Sequence, residues 1–235
     1  MTALSKEQEG GVLLGKIALL SGATRGVGAE VTLALAREGA DVCLLTHNAA
    51  DAKRLTTQVE SMGRRALSIP CMVEDQSQLD EAYGLVEERL GECPDIVFTN
   101  MGMMPPSPDY PRKTMFELTE SDWDRYLNNA LRGVVNSTNA ACRAMAASGK
   151  GGTIVNTAPF GLWAGKGLGL YSASRAAILS MVDTVNCEAE DLGYDVRAYL
   201  VDCERKAPLI REKIVTTVVG ICSGKVERPG LVELR

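Results

Sequence analysis

Short unbroken apolar runs alternate along the chain with longer stretches in which apolar residues recur every third or fourth position. "KIALLSG" (16–22) is an apolar run closed by serine and glycine, the mark of a strand buried on both faces. "GVGAEVTLALAREGA" (26–40) puts Val27, Val31, Leu35 and Ala36 on one helical face and ends near glycine, which predicts a helix. The same reading predicts strands over "DVCLLTH" (41–47), "RALSIPCMV" (65–73), "DIVFTNMG" (95–102), "GTIVNTA" (152–158) and "DVRAYLVD" (195–202). It predicts helices over 49–63, 77–91, 120–148 (with Ser121 as N-cap) and 171–193. "LIREKIVTTVVGIC" (209–222) carries Ile210, Ile214 and Val218 one turn apart and is expected to form a helix over the mouth of the site; its β-branched run leaves a strand open. "MMPPSPDYPRK" (103–113) has four prolines and is expected to be an exposed loop. Strands joined by helix-length crossovers predict an α/β fold, a parallel sheet in three layers. No repeat, linker or low-complexity stretch interrupts the pattern, so residues 1–235 are expected to form a single domain after an N-terminal tail over 1–14.

Composition narrows the function classes. A length of 235 residues with 46% hydrophobic and 23% charged residues is ordinary for one sizeable globular domain. The net charge of −5 lacks the basic footprint of a nucleic-acid binder. The first nine residues are polar and no apolar run reaches the ~18 residues of a membrane span, so neither a secretory signal nor a membrane anchor is expected, and a cytoplasmic location is. Seven cysteines, none in a C-x-x-C pair, are expected to be mostly buried free thiols. A single histidine, His47, excludes sites built on two imidazoles, and no metal site is expected.

"SGATRGVG" (21–28) joins the first strand to the first helix. Glycines here let the backbone turn tightly and approach a pyrophosphate, while the helix N-terminus offers free N–H groups to phosphates. The spacing of Gly22, Gly26 and Gly28 differs from G-x-G-x-x-G and resembles the T-G-x-x-x-G-x-G motif of the short-chain dehydrogenase/reductase family. Further motifs agree in order. "TNMG" (99–102) is similar to that family's N-N-A-G, "SDWDRYLNNALRGVV" to its central helix, "GTIVNTAPFG" to its fifth strand, and Tyr171 opens its catalytic helix.

The resemblance runs from about residue 15 to 202. It implies a Rossmann-type doubly wound sheet, nicotinamide-dependent carbonyl or alcohol chemistry on a small molecule, and a homo-oligomer, either dimer or tetramer. Cofactor contacts are thereby expected at Gly22, Thr24, Arg25, Gly26, Val27, Gly28, His47, Asn100, Gly102, Tyr171 and Arg175. NADP(H) is expected over NAD(H), because the second strand ends in Thr46, His47 and Asn48 without the carboxylate that binds a ribose 2′-hydroxyl, while Arg25 can meet a 2′-phosphate.

In that family a tyrosine moves the proton, a lysine four residues later lowers its pKa and holds the ribose, a serine holds the substrate oxygen and an asparagine organises a water relay. Tyr171 is present, and Arg175 stands in the lysine's place. Arginine keeps the charge but is bulkier and does not shed its proton. The serine position, thirteen residues before the tyrosine, is Ala158; adjacent Thr157 is expected to point to the opposite face of its strand. The asparagine position falls at Ala130, just after Asn128 and Asn129; a register one residue off would restore Asn129. Met72 occupies the place of an adenine-contacting aspartate, and "VDCERKAP" replaces a Pro-Gly turn. Residues 203–235 are thus expected to be a divergent, shortened substrate-loop region, which puts the family's seventh strand in doubt. Met101, Met103, Met104, Phe160, Leu162 and Trp163 either line an apolar substrate pocket or form ordinary packing. Three readings stay open: a redox enzyme with a degenerate site, a non-redox enzyme (cyclisation, dehydration or isomerisation) in the same pocket, and an inactive binding protein.

Overall fold

The computed structural model describes residues 11–100, 112–158, 165–203 and 210–234, with the side chains of 128–130 and Cys203 excepted. Seven strands form one sheet in the order β3-β2-β1-β4-β5-β6-β7, and every pair is parallel. They are β1 (Ile17–Ser21), β2 (Asp41–Leu45), β3 (Ala66–Ile69), β4 (Ile96–Thr99), β5 (Gly152–Thr157), β6 (Val196–Cys203) and β7 (Gly230–Leu234). The helices are α1 (Gly26–Arg37), α2 (Ala49–Ser61), α3 (Gln76–Leu90), α4 (Glu120–Asp124), α5 (Arg132–Ser148), α6 (Gly169–Leu192) and α7 (Ile210–Cys222), with a π-helical segment over Arg125–Leu131 between α4 and α5.

The sheet is sandwiched as the continuous apolar strands require. β1 and β2 are buried at every position, so both faces need a helical cover. On one face Val134, Ala141 and Met145 of α5 and Ile178 and Val182 of α6 join Leu79 and Val86 of α3 over Leu19, Val97 and Ile154. On the other, Val31 and Leu35 of α1, Leu55 and Val59 of α2, and Ile214 and Val218 of α7 cover Leu20, Phe98 and Val155. The strand order reverses between β1 and β4. Such a switch point opens a crevice at the carboxyl ends of the strands, where Gly22 and Asn100 meet.

Several expectations need correction. The third strand stops at Ile69, because Pro70 cannot donate to the ladder; residues 71–73 leave the sheet. The long helix expected over 120–148 is capped by Thr119 rather than Ser121. Thr119 and Asp122 form a reciprocal capping box, and Lys113 pairs with the Asp122 carboxylate at 2.8 Å. Hydrogen bonds from Lys113 and then Thr119 hold that carboxyl at about 2. The helix then passes through the π turn, which re-aims the positions that follow it.

The seventh strand put in doubt is present, with Tyr199 to Cys203 aligned against Gly230 to Leu234. Residues 209–222 contain a helix, Ile210–Cys222, and not a strand, but it lies beside α1 on the sheet face rather than over the mouth. Part of the expected tail is packed: Leu13 is buried and donates its N–H to the Glu38 carbonyl at 2.7 Å. Of the six described cysteines, all free, Cys43, Cys71 and Cys93 are buried, Cys142 and Cys222 partly so, and Cys187 is exposed. Among the described residues no helix is long and apolar enough to cross a membrane.

Candidate active site

The glycine turn owes its shape to backbone requirements. Gly22 and Gly26 sit at φ +63° and +55°, where a side chain is strained. Gly28 has an ordinary φ but no room. A Cβ there would lie 2.4 Å from the Gly22 carbonyl oxygen and 3.2 Å from the Asn100 amide nitrogen. The turn is locked to the neighbouring strands by a polar chain. Thr157 donates its hydroxyl to Asn100 Oδ1 at 2.7 Å, and Asn100 Nδ2 donates to the Gly22 carbonyl at 3.1 Å. Thr157 therefore points away from the α6 face, as its strand position requires, and is engaged in holding the turn. The sequence reading did not give it that role.

Above the turn lies a cleft of ≈ 460 Å³ lined by Gly22, Thr24, Arg25, Gly26, Val27, Thr46, His47, Met72, Glu74 and Asn100. Helix α1 opens onto it with an uncapped N-terminus: Arg25 makes no side-chain cap and the first turn holds no acid. The first-turn N–H groups thus face the cleft without competition, a natural seat for an anion. A cradle that excludes a Cβ, an uncapped helix end and a cleft at the switch point fit a dinucleotide pyrophosphate. Seven of the sequence-expected cofactor residues, Gly22, Thr24, Arg25, Gly26, Val27, His47 and Asn100, line this cleft, and Gly28 lies directly beneath it. Gly102 falls outside the described residues.

The corner of the cleft beyond β2 carries two charged side chains besides that of Arg25, those of Asp51 and Arg54. The Arg25 side chain is 76% exposed, and its Nε lies 3.7 Å from Asp51 Oδ2 on the first turn of α2. Asp51 Oδ2 also accepts from Asn48 Nδ2 at 3.0 Å, while Asn48 Oδ1 accepts the Asp51 N–H at 3.1 Å. Arg54, one turn further on, donates Nη2 to the Thr24 carbonyl at 3.5 Å. On the opposite wall Met72 is half exposed, and Asp75 caps α3 through the N–H groups of Ser77 and Gln78. Cys71 borders the cleft but is no nucleophile: burial first, then the carboxylates of Asp75 and Glu74, push its thiol up to about 11.

Tyr171 and Arg175 are brought together at the head of α6. The Arg175 guanidinium carbon lies 5.1 Å from the Tyr171 ring centroid, a cation–π stack across one helical turn. Both residues are at most 3% exposed. Arg175 Nε donates to Ser174 Oγ at 3.3 Å, and Ser174 Oγ donates to the Tyr171 carbonyl at 2.7 Å. The Tyr171 ring packs with Leu170, Leu118 and Tyr126, the last from the π segment. Ala158, just past the end of β5, is fully buried in the apolar cluster on the sheet face covered by α3, α5 and α6, and its methyl group offers no hydrogen bond there. The side chains of Asn128, Asn129 and Ala130, and all of Met101, Met103, Met104, Phe160, Leu162 and Trp163, lie outside the described residues. Among the described residues no cluster of three His, Cys, Asp or Glu side chains is disposed to hold a metal.

Comparison with known proteins agrees with this geometry. The family described as short chain dehydrogenase matches residues 16–204. Sorbitol dehydrogenase of Cereibacter sphaeroides is 30% identical over 185 residues, which are 78% of this chain and 68% of that enzyme. Glycine betaine reductase of Emericella nidulans is 31% identical over 189 residues, 80% of this chain but only 14% of that much longer protein. A solved short chain dehydrogenase from Mycobacterium smegmatis superposes with a TM-score of 0.84 at 24% identity, covering 96% of this chain and 93% of its own. The parallel sheet, the glycine turn at its switch point and the match over residues 16–204 make this chain a member of the short-chain dehydrogenase/reductase family of oxidoreductases.

Proposed function

We propose that this protein is an NADP(H)-dependent oxidoreductase that interconverts the carbonyl and alcohol forms of a small, apolar organic substrate. The observation that carries the reading is the Tyr171–Arg175 stack at 5.1 Å. A free tyrosine titrates near pH 10. A guanidinium stacked on its ring keeps a positive charge beside the phenol, in the place of the family's lysine. In the reductive direction Tyr171 gives its proton to the carbonyl oxygen, and in the oxidative direction it takes the proton from the alcohol. The nicotinamide, when bound, supplies the redox equivalent. The chain's own part is to seat the pyrophosphate on the turn at Gly22–Gly28 and the α1 N-terminus, to hold that turn through Asn100 and Thr157, and to present the proton at Tyr171. The apolar substrate rests on the sequence, where Met101, Met103, Met104, Phe160, Leu162 and Trp163 cluster around the site's motifs. A homo-oligomer, dimer or tetramer, is part of the proposal; light scattering of the full chain checks it.

Two results are expected. Tyr171→Phe should remove at least ~10²-fold of the turnover with the best substrate found in a carbonyl screen, because proton transfer by a placed acid is worth about 10²–10⁴. Retained activity would mean that the tyrosine does not move the proton. Arg25→Ala should weaken NADPH by roughly tenfold or more and NADH by less than about twofold, since a charge-assisted contact to phosphate is worth ~1.5–3 kcal/mol. Equal weakening of both, read by fluorescence titration, would remove Arg25 from the 2′-phosphate.

A further inference from the structure

The corner beside Arg25 holds a carboxylate that no strand-end rule would find. Asp51 comes from the first turn of α2, six residues past the end of β2, and its Oδ2 lies 3.7 Å from Arg25 Nε. The position is built: Asn48 donates Nδ2 to the same oxygen and caps the Asp51 N–H, so this carboxylate is held from two sides and is 29% exposed. Among the described residues, the other charged or titratable groups lining the cleft or bonded to it are Arg54 on α2, His47 after β2, and Glu74 and the buried Cys71 on the facing wall.

We infer that Asp51 sets how strongly the site prefers NADP(H), by occupying Arg25 and opposing a 2′-phosphate. This rests on the proposed binding of NADP(H) in the cleft. A 2′-phosphate brings up to two negative charges toward the guanidinium that Asp51 already faces at 3.7 Å. Binding must displace that pairing and place like charges side by side. A 2′-hydroxyl brings no charge, so the pair can stay intact with NAD(H). Asp51 thus acts as a brake on one cofactor and is indifferent to the other. The pair is open to solvent, so its effect is moderate: removing one exposed charge near a phosphate is expected to change affinity by roughly threefold to tenfold. Asn48 keeps its capping carbonyl toward the residue 51 N–H whatever the side chain there, so the fold does not depend on the carboxylate.

The test is to titrate NADPH and NADH, separately, into the full chain, Asp51→Asn and Asp51→Ser, following binding by nicotinamide fluorescence, with melting temperatures as the check on folding. Both variants should bind NADPH roughly threefold to tenfold more tightly with NADH within about twofold of the unaltered chain, and the gain should shrink at high salt. An unchanged NADPH affinity would overturn the inference. So would weakened NADPH binding, which would make Asp51 a group that pre-orients Arg25. Weakened NADH with NADPH unchanged would also overturn it, since Asp51 would then be a ligand of the ribose hydroxyl. Failure of the underlying proposal looks different: the unaltered chain itself would bind NADPH no better than NADH.

Discussion

The double variant Ala158→Ser, Arg175→Lys should reduce simple ketones with NADPH roughly 10²–10³-fold faster than the unaltered chain. The magnitude is that of one donor aimed at a developing oxyanion. Ala158 is fully buried on the side of β5 that faces α6 and cannot supply that donor. Thr157 cannot replace it, because its hydroxyl is turned to the other side and committed to Asn100 at 2.7 Å. Serine adds little volume to alanine, and its buried hydroxyl costs about 1–3 kcal/mol until a substrate oxygen pairs with it. Arg175→Lys exchanges a guanidinium stacked over Tyr171 for a compact ammonium that can reach a ribose hydroxyl. Each single variant should gain less than about tenfold, because the groups act as one unit. Ala130→Asn is the third step, returning the water relay. Brisk NADPH-dependent ketone reduction by the unaltered chain would contradict this reading and would mean that another group holds the substrate oxygen.

Gly26→Asp is expected to weaken NADPH and NADH alike by roughly 10²-fold while leaving the fold in place. The two effects separate because the site and the scaffold ask different things of residue 26. A Cβ there meets nothing within 4 Å, so no packing is disturbed. The backbone at φ +55° is left-handed, which costs a non-glycine residue about 1–2 kcal/mol, less for aspartate. Residue 26 also opens α1, where a carboxylate interacts favourably with the helix dipole and offsets part of that cost. For a bound pyrophosphate the same carboxylate is a like charge at close range, a repulsion of about 4 kcal/mol near a protein surface and less where solvent screens it. Circular dichroism and a melting curve within a few degrees of the unaltered chain should accompany the loss. Unchanged dinucleotide affinity would place the pyrophosphate elsewhere.

Most of the fold was legible because the strands are buried on both faces and therefore read as unbroken apolar runs. What escaped the sequence has physical causes. β7 was missed because it is a five-residue edge strand: "GLVEL" is too short, and only half buried, to stand out as an apolar run. The π turn over Arg125–Leu131 was invisible because one added residue shifts the period too little to detect across seven positions. Ser121 looked like the cap of that helix, and both it and Thr119 have an aspartate three residues on; the box closes at Thr119, where Lys113 from the preceding segment also pairs with Asp122. The placement of α7 beside α1 is a tertiary matter. Its apolar stripe at Ile214, Val218 and Ile221 says that one face is covered, not by what.

The candidate site divides the same way. The glycine turn was readable because close backbone approach admits few residues, and the Tyr171–Arg175 pair because four residues make one helical turn. Thr157 and Asp51 were not, because their roles depend on which strand or helix lies across from them. The strand end of β2 carries no carboxylate, while the carboxylate beside Arg25 arrives from the first turn of the next helix.

Titration of the full chain with NADPH and with NADH, followed by nicotinamide fluorescence, bears most directly on the assignment of a nicotinamide-dependent oxidoreductase. Saturable binding of both, tighter for NADPH and lost in Gly26→Asp, is the predicted result. No saturable binding of either dinucleotide at millimolar concentration would contradict it.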